Sequence, residues 1–290
     1  MERELPRTLY SLTKEYQQNI DDLSYEVIVV DNGSDVPINT VVDIKSFGSN
    51  FHCHYIENAS ASPAEALNRG AKLAKGKILC FMIDGARILS PGVLHSAWVV
   101  FSSSAYKDPT VSVTGFHLGP DLQNKSSEKG YNQSVEDKLL KDIDWRTNGY
   151  KLFEISVFAG SCRNGWFGTA AESNALFLSR ESYNKIGKFD EQFDLPGGGF
   201  INLDFYYRAV MRKNAEHIVL LGEGTFHQVH GGVATNCKKE EQAQKIKEWR
   251  AQYVSLRGAD FKMPSKQAYY LGLVDKSANS ALKKSANSVV

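Results

Sequence analysis

The sequence predicts an α/β fold: a mostly parallel, Rossmann-like sheet flanked by helices. Three observations carry that expectation. Residues 27–30, within a strand over 25–30, and residues 78–83 are apolar runs without alternation, as strands covered on both faces are. Each run leads into an aspartate and turn chemistry, Asp31-Asn32-Gly33-Ser34 and Asp84-Gly85. A strongly signalled helix lies between them, and strand and helix keep alternating through residue 116.

Composition narrows the function classes. The chain has 290 residues, and its 42% apolar content is enough for a core. Its 34 Lys and Arg stand against 33 Asp and Glu, so a net charge of +1 provides no bulk field toward nucleic acid or a membrane surface. The longest apolar run, 78–83, falls far short of the roughly 20 residues that span a bilayer. Met1-Glu2-Arg3-Glu4 forms no signal peptide. The expectation is a cytoplasmic protein with no nucleic-acid partner and no membrane span. Cys53, Cys80, Cys162 and Cys237 are spread without a Cys-x-x-Cys pair, which points to reduced thiols, mostly buried.

Taken in order, residues 5–18 carry Leu5, Leu9 and Leu12 behind Pro6, a helix packed by one face. Ser62-Pro63-Ala64-Glu65 is a capping box with proline at the first helical position, and Gly76 closes that helix. Ser90-Pro91 opens another, reaching about residue 104, and 111–116 reads as a strand. Ligands in such sheets sit outside the carboxyl ends of the strands, where Asp31 and Asp84 fall. Residues 117–150 are polar and irregular, a candidate lid. A strand over 152–159, a glycine- and aromatic-rich stretch through Gly165-Trp166-Phe167-Gly168, a strand at 175–178 and a helix at 180–186 follow. Gly197-Gly198-Gly199 precedes a helix over 202–213, and 217–221 is a strand. The longest helix, 238–257, aligns Ile246, Trp249, Tyr253 and Leu256 before Gly258. From residue 276 the Ser, Ala, Asn and Lys residues have little to bury, so a disordered tail is expected.

Four segments in sequence carry a resemblance. Glu26-Val-Ile-Val-Val-Asp-Asn-Gly-Ser34, then Ala66-Leu-Asn-Arg-Gly70 with Ala74-Lys-Gly-Lys-Ile78, then Phe81-Met-Ile-Asp84, then Ile186-Gly-Lys-Phe-Asp-Glu-Gln-Phe193 before the glycines resemble the landmarks of family-two nucleotide-sugar glycosyltransferases of GT-A fold. The likeness extends over about residues 1–235. It implies a nucleotide-binding half at 1–116, an acceptor and catalytic half at 117–235 and a helical extension at 236–275, ahead of the tail at 276–290.

The activity implied is transfer of a sugar, usually with inversion, from a nucleoside-diphosphate sugar, UDP-type above all, to a hydroxyl of a saccharide, lipid-linked or small acceptor. That chemistry needs a base pocket, positive charge for the leaving diphosphate, and a carboxylate to take the acceptor's proton. The resemblance places Asp31, Asn32 and Ser34 at the nucleotide, with Asn68 and Arg69 directed toward it from the capped helix. A carboxylate accepts from a ring N–H, and an amide both donates and accepts.

Two motifs depart from the family. Its Asp-x-Asp signature aligns on Asp84-Gly85-Ala86, and Arg87 stands where a third acid is frequent. Either Asp84 still holds Mg2+ or Mn2+ together with His227 or His230, or Arg87 replaces the metal by forking two phosphate oxygens and the chain is metal-independent. The family's Glu-Asp-x-Asp reads Ile201-Asn202-Leu203-Asp204, so the usual base is replaced by asparagine. Asp204 is the first candidate base and Glu172 the second. An aspartate at that point of a helix also favours the helix dipole without catalysing anything. Trp166 and Phe167, and Trp145, fall on the acceptor side, where aromatic rings suit the C–H faces of sugars. The altered motifs leave a second class open, a catalytically impaired homologue that binds nucleotide sugar or serves as a scaffold. The resemblance also implies a buried strand ahead of residue 1, so an in-frame upstream apolar stretch is expected.

Overall fold

The computed structural model describes residues 1–231 and 239–288. Cys237, the boundary at 235 and the first residues assigned to the longest helix lie outside them. In chain order the elements are α1 (Leu5–Tyr10), β1 (Val27–Asp31), β2 (Phe51–Tyr55), α2 (Ala64–Leu73), β3 (Ile78–Phe81), β4 (Arg87–Leu89), α3 (Val93–Ser102), β5 (Pro109–Leu118), α4 (Gln123–Glu128), α5 (Gln133–Ile143), β6 (Ser156–Phe158), β7 (Leu176–Ser179), α6 (Arg180–Ile186), α7 (Ile201–Met211), β8 (Glu216–His227), α8 (Lys239–Arg257), β9 (Tyr269–Leu271) and α9 (Asn279–Asn287).

The long parallel ladder β5·β8 is the spine of the main sheet. Beyond β5 lie β7 and β6, both antiparallel to it, and β3 pairs with β7; beyond β8 lie β9, parallel, and β4, antiparallel. β1 and β2 form a separate parallel pair. The Glu26 carboxylate accepts the N–H groups of Lys75 and Gly76, which ties the start of β1 to the start of β3. At the other end, Asp31 accepts the N–H of Ile38, Ile38 shares an apolar cluster with Leu5 and Leu9 of α1, and Thr8 of α1 donates to the carbonyl of Gly85. The segments around residues 31 and 84 therefore share one rim.

Between Ser112 and Thr114 the β5·β8 register shifts, leaving residues 220–223 of β8 without partners in that ladder. Gly222, at φ +80°, lies against the backbone of Leu273 there. This bulge is why a strand read as ending at residue 221 continues to His227. It also turns Glu223 inward, where its carboxylate accepts from Ser90 Oγ, from the Tyr150 hydroxyl at 2.9 Å and from the N–H of Gly92. Burial pushes the Glu223 carboxyl up to about 7, against the pull of those bonds. A carboxyl whose pKa is higher folded than unfolded contributes stability at low pH that is lost as pH rises through the folded value. Between about pH 6.5 and 8, ionisation of Glu223 is therefore expected to cost the fold about 1 kcal/mol relative to Glu223→Gln. The denaturant midpoint of the wild type should fall relative to that of Glu223→Gln across that window.

Three expectations change. The irregular stretch at 117–150 holds α4 and α5, and α5 is capped by Asn132, whose side chain accepts from the N–H groups of Ser134 and Val135. Its polar residues build an ion-pair network instead: Arg3 bonds Glu4, the fully buried Glu136 and Asp137. The strand expected over 152–159 begins as a 3-10 turn, Gly149–Ile155, and only Ser156–Phe158 pairs. The tail expected to be disordered is helical through α9 and docked. Ala278, Ala281 and Ser285 are buried, the backbone of Gly165 approaches Ser285, and Ser285 Oγ accepts the N–H of Trp166 at 3.1 Å. A stripe of small residues buries by close approach, which hydrophobicity does not signal. In α8, Tyr253 is buried among Phe193, Phe200 and Phe261, while Ile246 is exposed. Cys162 is buried, Cys53 partly so and Cys80 exposed, all free thiols. Among the described residues, no helix is long and apolar enough to cross a membrane.

Candidate active site

The rim beyond the main sheet gathers its chemistry on the ends of β4, β5 and β8. Asp84 ends the turn after β3 at φ +95°, a conformation that costs energy for any residue but glycine and is sustained by local bonds. Its Oδ1 accepts the N–H of Ala86, and the N–H of Gln228 returns to the carbonyl of Ala86, which joins the two segments. The β4·β8 ladder sets Arg87 opposite His227, and β5·β8 sets His117 opposite His227. Backbone pairing thus brings residues 84, 87, 117 and 227 together from three distant parts of the chain.

Asp84 Oδ2 lies 2.9 Å from His227 Nε2 and 3.4 Å from His230 Nε2. The two imidazole nitrogens are 3.1 Å apart. Burial opposes ionisation of Asp84, but the bonds to His227 and His230 and the charge of Arg87 hold its carboxyl well below the usual range. Burial, and then Arg87, pushes His227 down to about 4, with Asp84 opposing, so the ring is neutral. Its Nδ1 faces Gln123 Oε1 at 2.5 Å. His227 is thus held between the Gln123 amide at Nδ1 and the Asp84 carboxylate at Nε2. The Asp84, His227 and His230 donor atoms all lie within 4.8 Å of one another, a set that fits a divalent ion.

Arg87 is the other pole of the site. Its nearest carboxylate is Asp84 at 3.9 Å, and its Nε is buried with no hydrogen-bond partner. An orphaned buried guanidinium N–H beside the rim is a ready donor for an incoming anion. Burial pushes the neighbouring His117 down to about 3, and His227 and Arg87 add to the effect. Its bare Nδ1 accepts the N–H of Gln123.

The nucleotide-side residues divide. Asn32 donates through Nδ2 to the carbonyls of Ser60 and Ser62, leaving its buried Oδ1 with no partner. Asp31, by contrast, is consumed by the turn: Oδ1 accepts from the N–H and hydroxyl of Ser34, Oδ2 from the N–H of Ile38. Asp31 and Ser34 therefore shape the loop that presents Asn32. Asn68 is turned away from the rim. Its Oδ1 accepts from the Tyr183 hydroxyl and the N–H of Phe189, and its Nδ2 donates to Phe189 O and Glu191. This amide pins α2 to the turn at 187–191.

On the acceptor side, Trp166 is core. It is buried, its indole N–H donates to the carbonyl of Glu223, and its ring packs among Phe116, Phe153 and Phe158. Trp145 is likewise buried, against Tyr10 and Tyr16. Phe167 is half-buried, edge-on to Tyr270. Glycines around an aromatic pair suggested a shaped loop. In fact they let α9 close over it.

The two candidate bases also separate. Asp204 is 1% exposed and saturated by cations: Arg208 Nε at 2.8 Å, Arg257 Nε at 2.6 Å and Arg257 Nη2 at 2.9 Å. It anchors α8 to α7 and offers no free oxygen to a substrate. Glu172 is half-buried, and among the described residues its carboxylate bonds only Asn202. Gln123 and His117 were missed in the sequence, because a lone glutamine in a polar stretch and a histidine inside a strand carry no spacing signal.

The fold has known counterparts. Residues 2–93 match the family described as Glycosyl transferase family 2. That match lies in the first third of the chain, and the fold is an α/β sheet flanked by helices of GT-A type. The solved structure of S. aureus TarS aligns with TM-score 0.51 at 12% identity, covering 88% of this chain and 42% of that one. TarS 1–349 in complex with UDP and in complex with UDP-GlcNAc each align at TM-score 0.51, with 12% and 13% identity, over 99% of this chain and 67% and 68% of theirs. The chain thus spans less than half of the longer TarS chain. No curated protein sequence matches it.

Proposed function

We propose that this chain transfers a sugar from a UDP-sugar to a hydroxyl of a saccharide, lipid-linked or small acceptor, with inversion, in the cytoplasm. The observation that carries the reading is the pairing, on one rim, of an orphaned buried guanidinium at Arg87 with the Asp84, His227 and His230 donor set. Asn32 accepts the N–H of a uracil ring through Oδ1, a reading supported by that buried oxygen having no partner of its own. Arg87 meets the diphosphate. Asp84, His227 and His230 are the residues that would hold a divalent ion, and two imidazoles suit Mn2+ better than Mg2+. When bound, such an ion supplies Lewis-acid neutralisation of the charge on the departing diphosphate. Gln123, facing Nδ1, orients the His227 ring so that Nε2 points at Asp84. UDP bound by TarS 1–349 on the same fold supports uridine as the nucleoside.

The test is a thermal-shift titration with UDP, UMP and uridine. A ligand that prefers the folded state adds about 2.7 kcal/mol at a hundred times its Kd, so UDP should raise the melting point well above uridine at equal concentration. No shift with any nucleoside diphosphate would end the proposal. One observation favours the impaired-homologue reading: Asp204 is locked in ion pairs and Asn202 is no base. That reading predicts UDP binding without turnover of any UDP-sugar.

A further inference from the structure

We infer that Glu172 is the catalytic base and that Asn202 is its positioning residue, an assignment that rests on the transferase reading above. β7 runs antiparallel to β3 with Leu176 opposite Phe81, so residues just before 176 lie beyond the end of β3, where the chain continues to Asp84. The carbonyl of Glu172 is 3.9 Å from Cys162 Sγ, which in turn accepts the N–H of Gly115 at 3.4 Å. Gly115 is two residues from His117 on the strand whose end faces His227. Glu172 thus stands at the rim, on the side of β5 away from Arg87, and the Cys162 thiol feels the charges of both.

Asn202 Nδ2 donates to Glu172 Oε2 at 2.6 Å and lies 3.3 Å from Asn174 Oδ1. Glu172 Oε1 has no hydrogen bond among the described residues and remains the acceptor for a proton. An acid at 202 would stand 2.6 Å from a second carboxylate, and two such groups cannot both ionise easily. The amide there removes that repulsion and donates to the carboxylate instead. The carboxylate that the family keeps on the helix is supplied instead by the loop before β7, and the asparagine is its support.

The step balances. The proton of the acceptor hydroxyl passes to Glu172 Oε1 as the acceptor oxygen forms its bond to the anomeric carbon. The bond from that carbon to the β-phosphate oxygen breaks, and its electron pair leaves with the nucleoside diphosphate, whose charge Arg87 meets. Attack opposite the leaving group inverts the anomeric centre.

Water can stand in for the acceptor, so release of UDP from UDP-GlcNAc, UDP-glucose and UDP-galactose is a sufficient assay. Glu172→Gln should lower kcat at least about a hundredfold while the UDP-induced melting shift stays at the wild-type value. Formate should restore part of the turnover in Glu172→Ala. Asn202→Ala should lower kcat at unchanged KM, because it removes the bond that fixes the carboxylate in place. If the wild type turns over a donor and Glu172→Gln does so within about threefold of it, or formate rescues nothing, the assignment is overturned. If the wild type binds UDP and releases none from any donor, the transferase reading falls and this base falls with it.

Discussion

Asp204→Asn is expected to cost stability and spare turnover, the reverse of what a catalytic base would do. The carboxylate lies fully inside the junction of α7 and α8, with three guanidinium nitrogens at 2.6–2.9 Å. Removing one partner of a buried ion pair costs roughly 3–5 kcal/mol when the other is left buried and unpaired. Here Arg208 and Arg257 each keep about a quarter of their side-chain surface, and Arg257 also bonds Asp190 at 2.8 Å, so both can regain water. About 2–3 kcal/mol is the expected loss, or a drop of very roughly 5–10 °C in the melting point. Release of UDP from a turned-over donor, measured well below the melting point, should remain within about threefold of the wild type. Turnover lost at an unchanged melting point would return Asp204 to the chemistry and count against Glu172.

The contrast shows which parts of this molecule could be read from residue order. Strand–turn–helix punctuation is local, so β1, β3 and the helix after Ser62-Pro63 were legible, as were the aspartates that end the strands. Asp84, Arg87, His227 and His230 could be singled out because two motifs and a histidine pair lie close in sequence. What was not legible depends on partners far away. The same carboxylate type is a cap at Asp31, an ion-pair anchor at Asp204 and a free acceptor at Glu172. Only the distant amides and guanidinia that meet each one decide among these. Trp166 misled for a related reason: an aromatic among glycines is either a pocket wall or a core residue under close packing, and α9, the helix that settles the matter, is made of alanine and serine.

Asp84→Ala and Arg87→Ala should fail in opposite ways, and the difference separates arginine from metal as the counterion of the diphosphate. Asp84 is the only carboxylate among the three clustered donors, so its loss leaves two imidazoles. The Mn2+-dependent part of UDP binding should vanish in Asp84→Ala, with donor turnover down at least about a hundredfold. In EDTA, however, UDP binding should hold or improve, because a negative charge beside the phosphates has gone. Arg87→Ala removes the orphaned guanidinium itself. A charged hydrogen bond contributes about 1.5–3 kcal/mol, so UDP should bind roughly ten- to a hundredfold more weakly with or without Mn2+, while uridine, which has no phosphate, is unaffected. Calorimetric titration of UDP and uridine into the two variants, each with Mn2+ and with EDTA, measures all of these. If wild-type binding and turnover are the same in EDTA and are lost only in Arg87→Ala, the guanidinium alone meets the diphosphate, and His227 and His230 serve to orient Asp84. If Arg87→Ala weakens uridine as much as UDP, the arginine supports the fold of the rim rather than the phosphates.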